Sequence, residues 1–234
     1  MKKGNCLRLN ILLILFFTFC SFLYAGRPLT TDDAEIVEKG KFELEIGYDF
    51  IENSDKTKNQ ETGISLKSGL TSFMDLGVCI PFIVKENNQK INKWCNTEIS
   101  TKFSIIKENE KMPGFSFTIS TIPNPNQGDK RYTLNLILSK SFEKISFHLN
   151  LGKYSLKGEQ DFLTYSSALE YKIGEKLNLV GEIVGEENDD RILGLLIGIN
   201  YAFNDYLTFD FGFDKELNNK AYNFRIKTGF TLNW

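Results

Sequence analysis

From Lys41 to the last residue, apolar and polar side chains alternate along the chain with a period of two. Phe42, Leu44, Ile46, Tyr48 and Phe50 interleave with Glu43, Glu45, Gly47 and Asp49. This is the pattern of a strand with one apolar and one polar face. A helix would scatter the same acids and apolar residues around its whole circumference. Eleven further runs repeat the pattern, over residues 64–70, 74–82, 99–105, 115–121, 132–138, 145–151, 163–173, 177–183, 193–203, 207–213 and 224–234. The runs therefore predict about 12 strands, an even number, most of them about 9 to 12 residues long once their flanks are included. That length suits a tilted strand crossing a bilayer; strands of soluble domains average about 5 to 6 residues.

The connections alternate in character. Long polar segments are expected over 52–60, 85–93, 123–130, 155–161, 186–190 and 215–220, and tight turns over 71–73, 141–144, 174–176 and 204–205. Residues 107–113 form a longer member of the second set. Long loops at one end and short turns at the other are the habit of outer-membrane barrels. After residue 26 no stretch approaches the roughly 18 apolar residues of a membrane helix. The longest runs only from 192 to 199, and a closed barrel is the way left to satisfy every backbone polar group in lipid. The fold class expected is all-β, an antiparallel transmembrane β-barrel.

Three divisions follow. Residues 1–25 read as a secretory signal peptide: Lys2, Lys3 and Arg8, then an apolar stretch from Leu9 to Leu23, then Ala25-Gly26 for cleavage. Residues 26–40 are expected as a periplasmic N-terminal segment, in which Asp32-Asp33 reads as a solvated leader, and residues 41–234 as the barrel. Removal of Lys2, Lys3 and Arg8 leaves 25 basic residues against 30 acidic ones, a net charge near −5. No basic stripe argues for nucleic acid. Cys79 and Cys95 flank a polar loop, and alternation puts them on opposite faces, so one bridge and two free thiols both stay open.

Any chemistry belongs to the polar face. The first strand presents Glu43, Glu45 and Asp49 there, and the last presents Arg225 and Lys227. Closure pairs these two strands, so the opposite charges should meet near the seam, with Asp210 beside them. Such rows can select a solute, or simply hold register and solvate a wet interior; the second reading is the simpler. Small inward positions are expected at Gly47, Gly77, Gly152, Gly181, Gly198 and Gly212. Outward aromatics near strand ends, Tyr48, Tyr132, Tyr165, Tyr171, Tyr201, Tyr206 and Trp234, read as an interfacial girdle. His148 is the only histidine and points inward, with Ser146 and Asn150 on its strand face; a solvated lumen histidine is the reading, not a catalytic one. No cluster has metal-ligand spacing, no phosphate loop opens a helix, and neither catalysis nor a cofactor is expected.

The stretch Arg27-Pro28-Leu29-Thr30-Thr31-Asp32-Asp33-Ala34, followed by Gly40-Lys41-Phe42-Glu43-Leu44-Glu45 and the Gly69-Leu70-Thr71 turn, resembles an outer-membrane transporter-like family related to the meta-pathway of phenol degradation. The resemblance implies a passive channel or transporter for small, aromatic or hydrophobic solutes in the outer membrane. Phe230-Thr231-Leu232-Asn233-Trp234 also resembles the terminal signal read by the barrel-assembly machinery, although such signals usually end in Phe. The partners this implies are outer-membrane lipid, that machinery and a small-molecule solute. The competing readings are a plugged barrel with a structural or surface-interaction role and a soluble periplasmic β-protein.

Overall fold

The computed structural model describes residues 26–123, 131–156, 161–187, 191–218 and 220–234. The expected leader, and most or part of the loops expected over 123–130, 155–161, 186–190 and 215–220, lie outside the described residues. The strands are β1 (Phe42–Asn53), β2 (Lys58–Gly69), β3 (Met74–Glu86), β4 (Gln89–Trp94), β5 (Glu98–Ile106), β6 (Gly114–Ile122) and β7 (Arg131–Phe142). They continue with β8 (Ile145–Leu156), β9 (Phe162–Lys172), β10 (Leu177–Glu186), β11 (Leu193–Ala202), β12 (Leu207–Glu216) and β13 (Tyr222–Asn233). Each pairs antiparallel with its sequence neighbour except at β4, which pairs only with β3, while β3 goes on to pair with β5. β1 then pairs with β13 along its length, from Glu43↔Asn233 to Asn53↔Tyr222. The sheet is thus a closed barrel of 12 staves, and no described residue is helical.

The pleat sorts side chains as the alternation requires. Ile64, Leu136, Leu149, Leu179, Ile197, Phe213 and Phe230 stand outward and exposed, whereas Ser116, Asn178, Glu182, Asn200 and Asp210 point inward and are buried. This reverses the polarity of a soluble domain and gives the apolar outer band and polar interior of a membrane barrel. Trp234 stacks on Phe42 with ring centroids 5.6 Å apart, joining the two ends of the barrel sequence on the outer face.

Three local expectations need correction. The loop expected over 52–60 is mostly strand: β1 and β2 stay in register to Glu52↔Lys58. Ladder pairing needs only the backbone, so polar side chains do not end it. The turn that remains is held by Asp55, whose carboxylate accepts from Thr57 N–H and Thr57 Oγ1 at 2.9 and 2.6 Å. The loop expected over 85–93 is a hairpin, with β4 returning along the end of β3. Asn87 and Asn88 both have positive φ, at 48° and 69°, the requirement of the tight hairpin turn that asparagine tolerates best. Finally, Gly181 faces outward, because Asn178, Val180 and Glu182 take the inward positions of β10. Cys79 and Cys95 are both free thiols.

At the opposite end, where β1 begins and β13 finishes, the β11–β12 turn rests on a side-chain acceptor. Asn204 Oδ1 accepts from Tyr206 N–H and Leu207 N–H, each at 2.9 Å. Asn204→Ala removes the shared acceptor and is expected to lower stability by about 1 kcal/mol, measured as the shift of the urea unfolding midpoint of the barrel refolded into lipid vesicles. No shift would show that the turn is set by the ladder alone.

Candidate functional site

Residues 26–39 do not form a solvated leader. They run through the interior of the barrel, and the wall supplies a partner at almost every step. Arg27 donates to Asp49 Oδ1 at 3.1 Å and to Thr228 O at 2.9 Å, and its Nε lies 3.6 Å from Asp210 Oδ1. The close approach needs Gly47 and Gly229 on the wall, since a Cβ at either position would run into the Arg27 side chain. Pro28 sits against Gly212, where a Cβ would stand 2.9 Å from its ring.

Glu182 is the principal anchor. Its carboxylate accepts from Thr30 N–H, Thr31 N–H and Thr31 Oγ1, all at 2.8 Å. Asp32 N–H donates to Asn150 Oδ1, and Asn150 Nδ2 returns a bond to Asp32 O, both at 2.8 Å. Lys102 closes a turn of the segment from β5: its ammonium donates to Asp32 Oδ1 at 2.8 Å and to Asp33 O and Glu35 O at 3.0 Å each. Ala34 N–H donates to Ser139 Oγ at 2.8 Å, and Ser116 Oγ donates to Ala34 O. Val37 N–H donates to Asp75 Oδ2 at 3.0 Å, and Lys39 bridges to Gly69 before β1 starts. The apolar part of the docking is small: Leu29 meets Ala168, Val180 and Leu196. Thr31 and Asp33 are 1% and 5% exposed, which overturns the solvated reading of this stretch. The physical reason is that most of the segment's amides and charges find partners on the wall, while Asp33 and Glu35 N–H bond within the segment, to Asp32 Oδ1 and Asp33 Oδ1.

The six charges singled out from sequence all project from the inner face, but the seam does not pair them directly. Asp49 and Lys227 are register partners across β1 and β13. Yet Asp49 takes Arg27, and Lys227 donates to Thr30 Oγ1 at 2.8 Å and Pro28 O at 3.2 Å. The segment therefore stands between the seam charges. Glu43 pairs with Lys67 at 2.8 Å, and Glu45 lies 3.8 Å from the same ammonium. Asp210 faces Arg27, and the Arg225 guanidinium lies over the Tyr222 ring, 4.7 Å from its centroid.

His148 is buried rather than solvated, at 5% exposure. Its partners come from the neighbouring strands, not from Ser146 or Asn150 on its own. Nδ1 lies 2.8 Å from Ser139 Oγ on β7, and Nε2 lies 3.4 Å from Glu170 Oε1 on β9. The hydroxyl of this relay is also the acceptor of Ala34 N–H, so the relay fixes the segment to the wall. Among the described residues no group of His, Cys, Asp and Glu has the arrangement of a metal site.

Among the described residues, cavities lie on both sides of the segment. The larger, about 350 Å³, lies between Arg27–Asp32 and the end of the barrel that carries the β3–β4 hairpin; hydroxyl and amide side chains of β5–β9 make up much of its wall. The smaller, about 200 Å³, lies toward the opposite end, between Ala34–Glu38 and residues 107–114. Sequence reasoning missed Glu182, Lys102, Asn150, Ser139 and Asp75 as segment contacts. The available signal was their inward parity combined with charge, which marks them as needing a counterpart but does not say which one.

No protein-family model matches the chain, and no curated protein does. Solved structures share its fold. An outer-membrane channel from Pseudomonas putida F1 superposes with a TM-score of 0.69 at 12% identity, over 88% of this chain and 100% of that one. The KdgM porin gives 0.64 at 9% identity, over 81% and 98%, and has also been solved in complex with disordered oligogalacturonate. The NanC porin gives 0.59 at 12% identity, over 82% and 98%. The chain folds as a closed antiparallel 12-stranded barrel, the fold of these outer-membrane proteins. These likenesses lend no specific support to the phenol meta-pathway family.

Glu182→Ala leaves three donors of the segment without their acceptor, a loss of about 3 kcal/mol of docking. This raises the undocked population by about two orders of magnitude. Limited proteolysis is expected to cut the variant within residues 27–38 while the barrel keeps its unboiled gel mobility. Equal resistance in both proteins would show that Glu182 does not anchor the segment.

Proposed function

We propose that this chain is an outer-membrane channel for small solutes whose lumen is closed at rest by its own residues 26–39. The outer belt is a surface that lipid hydrocarbon solvates, and the exported-barrel fold is shared with porins. The final strand, β13, with Trp234 beyond it stacked on Phe42, is the one the barrel-assembly machinery would engage. The observation that carries the proposal is the manner of docking. The segment is held by hydrogen bonds and ion pairs in a polar lumen, with one small apolar contact at Leu29. Water can replace such bonds nearly one for one, so the segment can leave without exposing a large apolar surface. A plug bound through an apolar core would lack that freedom.

The reading assigns no reaction to the protein. Ser139, His148 and Glu170 act in docking. The phenol-pathway resemblance suggests aromatic solutes; the hydroxyl and amide groups lining the larger cavity favour polar ones.

Deletion of residues 27–38 tests the proposal in planar bilayers. The full chain is expected to open only briefly, and the deletion variant to conduct in sustained discrete steps. A deletion variant that folds, as judged by faster migration of the unboiled band, yet stays silent would leave a structural plug in a non-conducting barrel.

A further inference from the structure

The inner wall of the barrel is chemically two-sided, and the larger cavity opens onto its uncharged side. Register places Ser100, Ser120 and Thr133 next to one another in one row across β5, β6 and β7. In the next row Thr118, Asn135 and Thr164 follow, with Gly152 between the last two. A Cβ at Gly152 would run into Thr164 Oγ1, so glycine keeps a recess in this wall. Thr118 Oγ1 is buried and has no hydrogen-bond partner. At the hairpin end of the patch, inward-facing Tyr154 stacks on Phe162 with ring centroids 5.1 Å apart and planes 6° from parallel. Tyr154 also lines the cavity.

The charges bordering this patch are already committed. Arg27 is held by Asp49 and Asp210, Lys67 by Glu43 and Glu45, and Asp32 by Lys102. The other carboxylates on the lining are Glu98 and Glu186, near strand ends. An anionic solute thus meets four carboxylates and two cations that are paired elsewhere. An apolar aromatic solute would cover the hydroxyl rows without bonding to them, and unmade bonds to buried polar groups are costly. A neutral molecule carrying several hydroxyls offers both donors and acceptors to the rows, and its C–H faces suit the Tyr154 ring.

Building on the reading of the barrel as a solute channel, we infer that the larger cavity is a binding site for neutral polyhydroxylated solutes, sugars of one or two rings. The hydroxyl rows of β5–β9 bind the solute's hydroxyls, and Tyr154, backed by Phe162, supplies the aromatic contact. The site lies on the hairpin side of the segment, so a solute binds before the segment moves.

The test is saturation-transfer NMR titration of the full-length barrel in a detergent without a sugar headgroup, using trehalose, galacturonate and phenol as separate probes. Trehalose is expected to bind saturably and at least about tenfold more tightly than either of the others. Thr133→Val and Thr164→Val keep side-chain shape but remove a hydroxyl, and each is expected to weaken trehalose binding about fivefold. Tighter or equal binding of galacturonate or phenol by the unaltered chain overturns the inference, and so does full trehalose affinity in both folded valine variants. Bilayer conductance separates the two readings. A deletion variant that conducts, from a parent that does not bind trehalose, removes the solute class alone. Trehalose binding by a barrel that never conducts removes the channel alone.

Discussion

Every stave of this sheet has two hydrogen-bonding edges, and the pairing of β1 with β13 leaves no stave with a bare one. That closure is the constraint on which the rest depends. A strand edge facing hydrocarbon would leave a row of N–H and C=O groups unsatisfied, each at a cost of several kcal/mol. Once the ring is closed, pleat parity is fixed around its whole circumference. Leucine, isoleucine and phenylalanine must then face out together, and the charged and hydroxylated residues must face in together. The one strand outside the ring, β4, pairs along the hairpin end of β3, and all six of its residues are exposed. It is thus the polar sequence QKINKW, rather than an apolar stave, that carries the unpaired edge.

Closure creates a second problem, because it gathers charge in a narrow interior. A buried carboxylate or ammonium without a counterpart is strongly unfavourable, and 12 staves leave limited room for water. The segment before β1 resolves much of this by entering the lumen. Glu182 accepts its backbone amides, Asp49 and Asp210 face its Arg27, and Lys102 and Lys227 donate to its carbonyls, a carboxylate and a hydroxyl. The same bonds that neutralise the wall also obstruct the passage. In this account the closed state and the stability of the lumen are one set of contacts, and opening requires water or solute to take over those bonds.

The barrel was legible in the sequence because period-two alternation is a direct print of the pleat. The inward direction of Glu43, Glu45, Asp49, Asp210, Arg225 and Lys227 was legible for the same reason. Strand ends were less so: polar residues such as Asn59 and Gln60 continue a ladder that side-chain pattern cannot see. The Asn87-Asn88 turn was a readable hairpin signal passed over among polar neighbours. The lumen segment was not legible from pattern, since residues 26–39 have no periodicity and bond to wall residues 22 to 201 positions away. Only the family resemblance drew notice to Arg27 through Ala34, and it did so without indicating where they lie. His148 illustrates the same limit: the alternation shows that it points inward with Ser146 and Asn150 on its strand face, but not that its partners, Ser139 and Glu170, stand on β7 and β9.

The most direct test of the central claim, that a segment resting in the lumen gates it, is to lock the segment in place. Leu29→Cys and Ala168→Cys, introduced into a chain whose Cys79 and Cys95 are serine, put two thiols within the apolar contact seen here. The account predicts that the oxidised protein forms the cross-link and is silent in planar bilayers, and that reduction restores its openings. A cross-linked barrel that conducts as readily as the reduced one would contradict it.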